Sequence, residues 1–257
     1  MLSTWEPPGS QGRVIGGLLG VLVGEGLHSS GGRASLGAVQ PMTAAVIDVA
    51  HGYVARRGLT APVEVAQRHQ GVGGLGWLLP VAVVRPNAPG RISDTLDLAG
   101  PAGVSWEQFG SCVAYVELAS RVLAGWPPHE AAAGIVTSSV AASDGVPALH
   151  GDAAVDGLNV TVWALNRPMP LTDVVVRLRQ FVPREVAAAA CGVLGLHHGA
   201  DAVPQRWQQR LRHVADCLAL TPALLRVRGA PALEPTPASD GERTSVVRLH
   251  GLGGSGQ

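Results

Sequence analysis

"QFVPREVAAAACGV", residues 180–193, is the stretch on which the fold turns. Val186, Ala189, Ala190, Val193 and Leu194 recur at helical spacing, and Ala187, Ala188 and Cys191 make the other faces apolar too. A helix apolar all round must be enclosed by other elements, so this one is predicted to be central. Its first turn holds Pro183, Arg184 and Glu185, with proline expected at N1. What that helix end faces is the functional question.

Helical periodicity extends in both directions from this segment. Trp106, Phe109, Val113, Val116 and Leu123 mark one amphipathic helix, and Trp207, Leu211, Val214 and Leu218 mark a second. Met42, Ala45, Val46 and Val49 begin a helix running to about Arg57, where Gly58 stops it. Val155–Leu165 predicts another. Leu171, Val174, Val175 and Leu178 predict one more, with Thr172 as N-cap and Asp173 in the first turn. The run Trp77–Val84 is the remaining strand-like candidate. Gly and Pro fill 86–103 and 139–154, which read as connections.

The opening helix, about Arg13 to Glu25, carries Gly17, Gly20 and Gly24 along one side. Each glycine costs about 1 kcal/mol of helix propensity, a cost offset only where another backbone comes close. Tight packing of this helix is therefore expected.

The 257 residues, 46% of them hydrophobic, suit one large domain with a well-buried core. Nineteen basic and nineteen acidic residues give a formal net charge of zero, which offers no footprint for nucleic acid or an anionic membrane. There is no lysine, so Schiff-base and P-loop lysine chemistry are excluded. Cys112, Cys191 and Cys217 are few, separated and in apolar surroundings, and read as core residues of a cytoplasmic protein. The apolar run Val14–Gly24 is too short to span a bilayer and lacks the flanks of a secretion signal. Residues 1–12 read as an extension, 13–228 as the domain, and 229–257 as a flexible Pro/Gly/Ser-rich tail.

Five segments taken in order resemble the ADP-ribosylglycohydrolase family, which includes the dinitrogenase-reductase-activating glycohydrolases. "RVIGGLLGVLVGEGLH" (13–28) is similar to its opening helix, and "PMTAAVIDVA" (41–50) to the helix after its Thr-Asp-Asp-Thr metal motif. "GVGGLGWLLP" (71–80) resembles its substrate loop and "VDGLNVTVWAL" (155–165) its late helix. "HHGADAVPQRWQQRL" (197–211) resembles its closing segment, the most specific match. The resemblance implies an all-α fold, an orthogonal multi-helix bundle.

It also implies what has been lost. The family holds two divalent ions on carboxylates, but the first acidic motif falls here on Gly37, Ala38, Val39 and Gln40. The second falls on Phe181, Val182, Pro183, Arg184 and Glu185, and the loop's usual Asn and Arg are Val72 and Trp77. Mg²⁺ needs hard oxygen ligands, which these hydrocarbon side chains do not supply. A guanidinium about 4 Å away would oppose a dication by several kcal/mol at an effective dielectric of about 20. Neither a metal site nor a cofactor is expected.

Two readings stay open. In the first, the chain is a degenerate member, a non-hydrolytic binding or interaction protein holding an ADP-ribose-like or other anionic small molecule, or meeting a protein partner. In the second, it is a metal-independent enzyme acting on a ribosyl or nucleotide-derived metabolite, with Glu25 as acid/base and His51 reaching the cleft. Candidate ligand-binding residues are Gly71, Gly73, Trp77, Arg184 and Glu185. Against these stand bland readings: Glu25 paired to an arginine, Arg184 bridged to Glu25 or an Asp, His51 hydrogen-bonded and buried, Glu185 a dipole-favoured first-turn residue. His197 and His198 read as surface residues. "HGD" (150–152) with Asp156 offers a base beside carboxylates but places no nucleophile. The enzyme reading requires Glu25, His51 and Arg184 together; the interaction reading requires a cleft filled by Trp77, Phe181 and Val39.

Overall fold

The computed structural model describes residues 9–26, 41–56, 60–135 and 145–229. Gly37–Gln40, Gly58 and the tail beyond 229 lie outside the described residues. The described residues form twelve α-helices and two 3₁₀ turns, with no strand among them. In chain order the helices are α1 (Ser10–Gly26), α2 (Pro41–Arg56), α3 (Thr60–Arg68), α4 (Leu79–Val84), α5 (Ala88–Ala99) and α6 (Trp106–Leu123). There follow α7 (Pro128–Ala132), α8 (Ala153–Leu165), α9 (Leu171–Phe181), α10 (Arg184–His198), α11 (Gln205–Gln208) and α12 (Val214–Gly229). The strand-like run Trp77–Val84 is helical, a 3₁₀ turn at Gly76–Leu78 leading into α4. Its continuous apolar character reflects burial on every side rather than a pleated sheet.

Helix α10 is central, as its apolar circumference predicts: Val186 through Leu196 are buried. It lies between α1 and α8, and among the described residues its pairing with α1 is the most extensive. Gly16, Gly20 and Gly24 of α1 face the α10 backbone; a Cβ on Gly20 would stand 2.7 Å from the carbonyl carbon of Cys191, and one on Gly24 2.6 Å from Ala188 Cα. Gly17, placed in that stripe by the sequence, faces the side chains of Leu196 and Leu79 instead. Tyr115 crosses from α6 to donate its hydroxyl to Ala189 O at 3.1 Å, so the core's large phenol leaves no unpaired donor. The three cysteines are free and buried in this core, and burial pushes each thiol up to about 12.

Other boundaries depart from the sequence reading. Residues 86–103 contain α5, whose N-terminus is capped by the Asn87 side chain accepting from Gly90 N–H at 2.8 Å. The expected Trp207–Leu218 helix is broken: α11 ends at Gln208, and α12 begins after His213, which takes φ 63°. Pro170, not Thr172, is the N-cap of α9, and Pro183 is the N-cap of α10 rather than its first helical residue. On α6 the buried face runs through Cys112, Tyr115, Val116 and Ala119, leaving Trp106 82% exposed. At the far side, Arg228 of α12 donates to Ala82 O and Val83 O, satisfying carbonyls at the end of α4.

Candidate functional site

The N-terminal ends of α2, α8 and α10 come together around the loop 71–75. Gly74, at φ 83°, is held where a Cβ would lie 2.9 Å from Glu185 O and 3.1 Å from Met42 Cε. A Cβ on Gly73 would stand 3.7 Å from Glu185 Cγ and 3.8 Å from Ala153 Cβ. Both the positive φ and the close approach require glycine at 74. Trp77 is buried and donates its indole N–H to Gly74 O at 3.2 Å, so it braces the loop from beneath. Gly71, at φ 77°, donates its amide to Ala102 O and is exposed.

Glu25 is 2% exposed at the end of α1, and its two oxygens accept from the first turn of α2: Met42 N–H to Oε1 at 2.9 Å and Thr43 N–H to Oε2 at 2.6 Å. These are amides that α2 cannot satisfy internally, and the carboxylate sits at the positive end of its dipole. Glu25 thus acts as a helix cap supplied from another helix, in place of the arginine pairing anticipated for it. His51 is exposed on α2, neither buried nor close to Glu25. Eight residues at 1.5 Å per residue put it about 12 Å along α2 from Thr43. Arg184 is exposed at the start of α10 and Glu185 half-buried beside Gly73 and Gly74. The structure therefore gathers Gly73, Gly74, Trp77, Glu185 and Arg184 at one end, with Glu25 buried behind them, and leaves His51 apart.

Of the three residues expected to fill a cleft in an interaction protein, Trp77 is buried, Phe181 is 60% exposed, and Val39 lies outside the described residues. The residue buried next to Phe181 is Val182, at 6% exposure. The side chains of Val182, Pro183 and Arg184 supply no oxygen ligand to a divalent ion, and Glu185 is the carboxylate of this first turn. Among the described residues no three His, Cys, Asp or Glu are gathered as a metal would need.

One polar arrangement at this end goes beyond what its sequence could place. Asp156, 3% exposed on α8, accepts His150 N–H at 2.8 Å and Gly151 N–H at 3.0 Å, and lies 3.3 Å from His150 Nδ1. Asp152 caps α8 by accepting from Ala154 and Val155 N–H and also takes Gln108 Nε2 at 3.2 Å. Gln108 completes a capping box with Ser105 at the head of α6, where exposed Trp106 stacks on Phe109 with centroids 5.7 Å apart. His197 and His198, expected at the surface, are partly buried at the end of α10 with rings 4.8 Å apart. Burial, the neighbouring His198 and Arg13 lower His197 to about 4, and burial lowers His198 as well.

No helix among the described residues is long and apolar enough to cross a membrane. No family model matches the chain. No curated protein matches it either. A solved structure described as an ADP-ribosylglycohydrolase-related protein complex is similar to it, with a TM-score of 0.67 at 17% sequence identity, covering 85% of this chain and 99% of that one. In its helices and their arrangement, the chain has the all-α ADP-ribosylglycohydrolase-like fold.

Proposed function

We propose that this protein has given up metal-dependent hydrolysis and serves as a binding or interaction protein, holding an ADP-ribose-like or other anionic ligand at the joined ends of α2, α8 and α10. The observation that carries this reading is Glu25: both its oxygens are engaged by Met42 and Thr43 amides. Each oxygen spends a lone pair on a buried amide, which commits this carboxylate to capping α2 rather than to the exposed face of the site. Arg184, exposed at the α10 N-terminus, supplies positive charge where the resemblance implies carboxylates in active relatives. The similar solved structure is described as a protein complex, in keeping with an interaction role.

Isothermal titration of the full chain with ADP-ribose, with and without Mg²⁺, tests the reading. Binding of equal strength in both conditions is expected. Binding that requires Mg²⁺, or turnover of a ribosyl bond on its addition, would contradict it. The enzyme reading built on Glu25 and His51 gains no support, since His51 is exposed and lies about 12 Å along α2 from Thr43, the residue Glu25 caps.

A further inference from the structure

Asp156 and His150 make a pair that a purely binding role does not use. The Asp156 carboxylate is almost wholly buried and accepts two backbone amides, so it is fixed as an acceptor. The imidazole it orients is 65% exposed. In the tautomer that carries its proton on Nδ1, that nitrogen donates to Asp156 at 3.3 Å and Nε2 keeps the lone pair on a largely exposed ring. Three residues further on, Ala153 packs beside Gly73, so His150 belongs to the same end as the 71–75 loop. Among the described residues the amides of Gly73 and Gly74 donate no hydrogen bond.

We propose that His150, oriented by Asp156, is a general base acting through Nε2 on water in the hydrolysis of a carboxylic ester, an activity beyond ligand holding. Water gives a proton to Nε2 as its oxygen bonds to the ester carbonyl carbon, whose π pair moves onto the carbonyl oxygen. The tetrahedral intermediate collapses, the bond from carbon to the alkoxide breaks, and the alkoxide takes the proton back from Nε2. Acid and alcohol leave, and the neutral imidazole is restored. An ester suits this pair better than a glycoside. A neutral imidazole accepts and returns one proton but is a weak acid toward a glycosidic oxygen, and the Gly73 and Gly74 amides are donors of the kind an oxyanion needs.

The test uses p-nitrophenyl acetate with the full chain, equimolar free imidazole, and the variants H150Q and H129Q. His129, 76% exposed, belongs to a distant helix. The parent should exceed free imidazole, H150Q should lose about 100-fold in kcat/KM, and H129Q should match the parent. A parent no faster than imidazole, or H150Q within twofold of the parent, overturns the proposal. Asp156 also ties the 150–151 turn, so its role is read without mutation from nitrogen-15 NMR of the parent. An Nδ1–H tautomer at His150 supports the positioning role, and an Nε2–H tautomer overturns it.

Discussion

Gly195 of α10 and Gly16 of α1 meet backbone to backbone: a methyl group on Gly195 would stand 2.5 Å from the carbonyl carbon of Gly16. No side chain can yield at such a contact, so the two helices would have to separate. Gly195→Ala and Gly20→Ala are each expected to cost about 3 kcal/mol or more in denaturant unfolding. Gly110→Ala on α6, where a Cβ meets open space, should instead gain about 0.5–1 kcal/mol. Equal responses at the two kinds of site would refute the close-packing account.

The cap that Glu25 provides to α2 has a measurable cost of removal. Glu25→Ala leaves two buried amides without acceptors, and a loss of about 1–3 kcal/mol in chemical unfolding is expected. Glu25→Gln, keeping one carbonyl oxygen, should lose less. An unchanged midpoint in the alanine variant would show that Glu25 is not a structural residue.

His197 ties stability to pH. Its folded value, about 4, lies below the 6.5 of an exposed histidine, so between these values the unfolded chain binds more protons. The stabilisation is present above about pH 6.5 and is lost as pH falls toward 4, and with solvent screening of this partly exposed ring it amounts to about 1–2 kcal/mol. The negative end of the α10 dipole works the other way, favouring the charged ring, but burial and Arg13 prevail. Unfolding measured from pH 7.5 to 4 should show this fall, and His197→Phe should flatten it.

Trp106 offers a contrast between stability and binding. With 82% of its surface exposed, Trp106→Ser should change unfolding by no more than about 0.5 kcal/mol. Calorimetry with ADP-ribose then reads any contribution to the ligand separately from the fold.

The elements legible in the sequence were those with a strong 3.6-residue signal. α1, α2, α6, α8, α9 and α10 all appear within a few residues of their expected limits. α5 was hidden because its sequence, APGRISDTLDLA, is polar and begins in a Pro/Gly-rich stretch, and only the Asn87 cap marks its start. The break at His213 was equally hidden, since neither Gly nor Pro announces it and a lone residue at φ 63° ends the run. At the site, the types of residue could be read but not their partners. Glu25 finds its acceptor role seventeen and eighteen residues away, across a segment no local pattern can bridge. The Asp156–His150 contact is only six residues long, but burial of the carboxylate is a tertiary fact.

The central claim is that hydrocarbon, guanidinium and an already engaged carboxylate leave no place for paired divalent ions. Electron paramagnetic resonance of Mn²⁺ titrated with the full chain measures this directly. The account predicts that the six-line signal of free Mn²⁺ persists undiminished; two equivalents withdrawn from solution, and returned by Glu25→Gln, would contradict it.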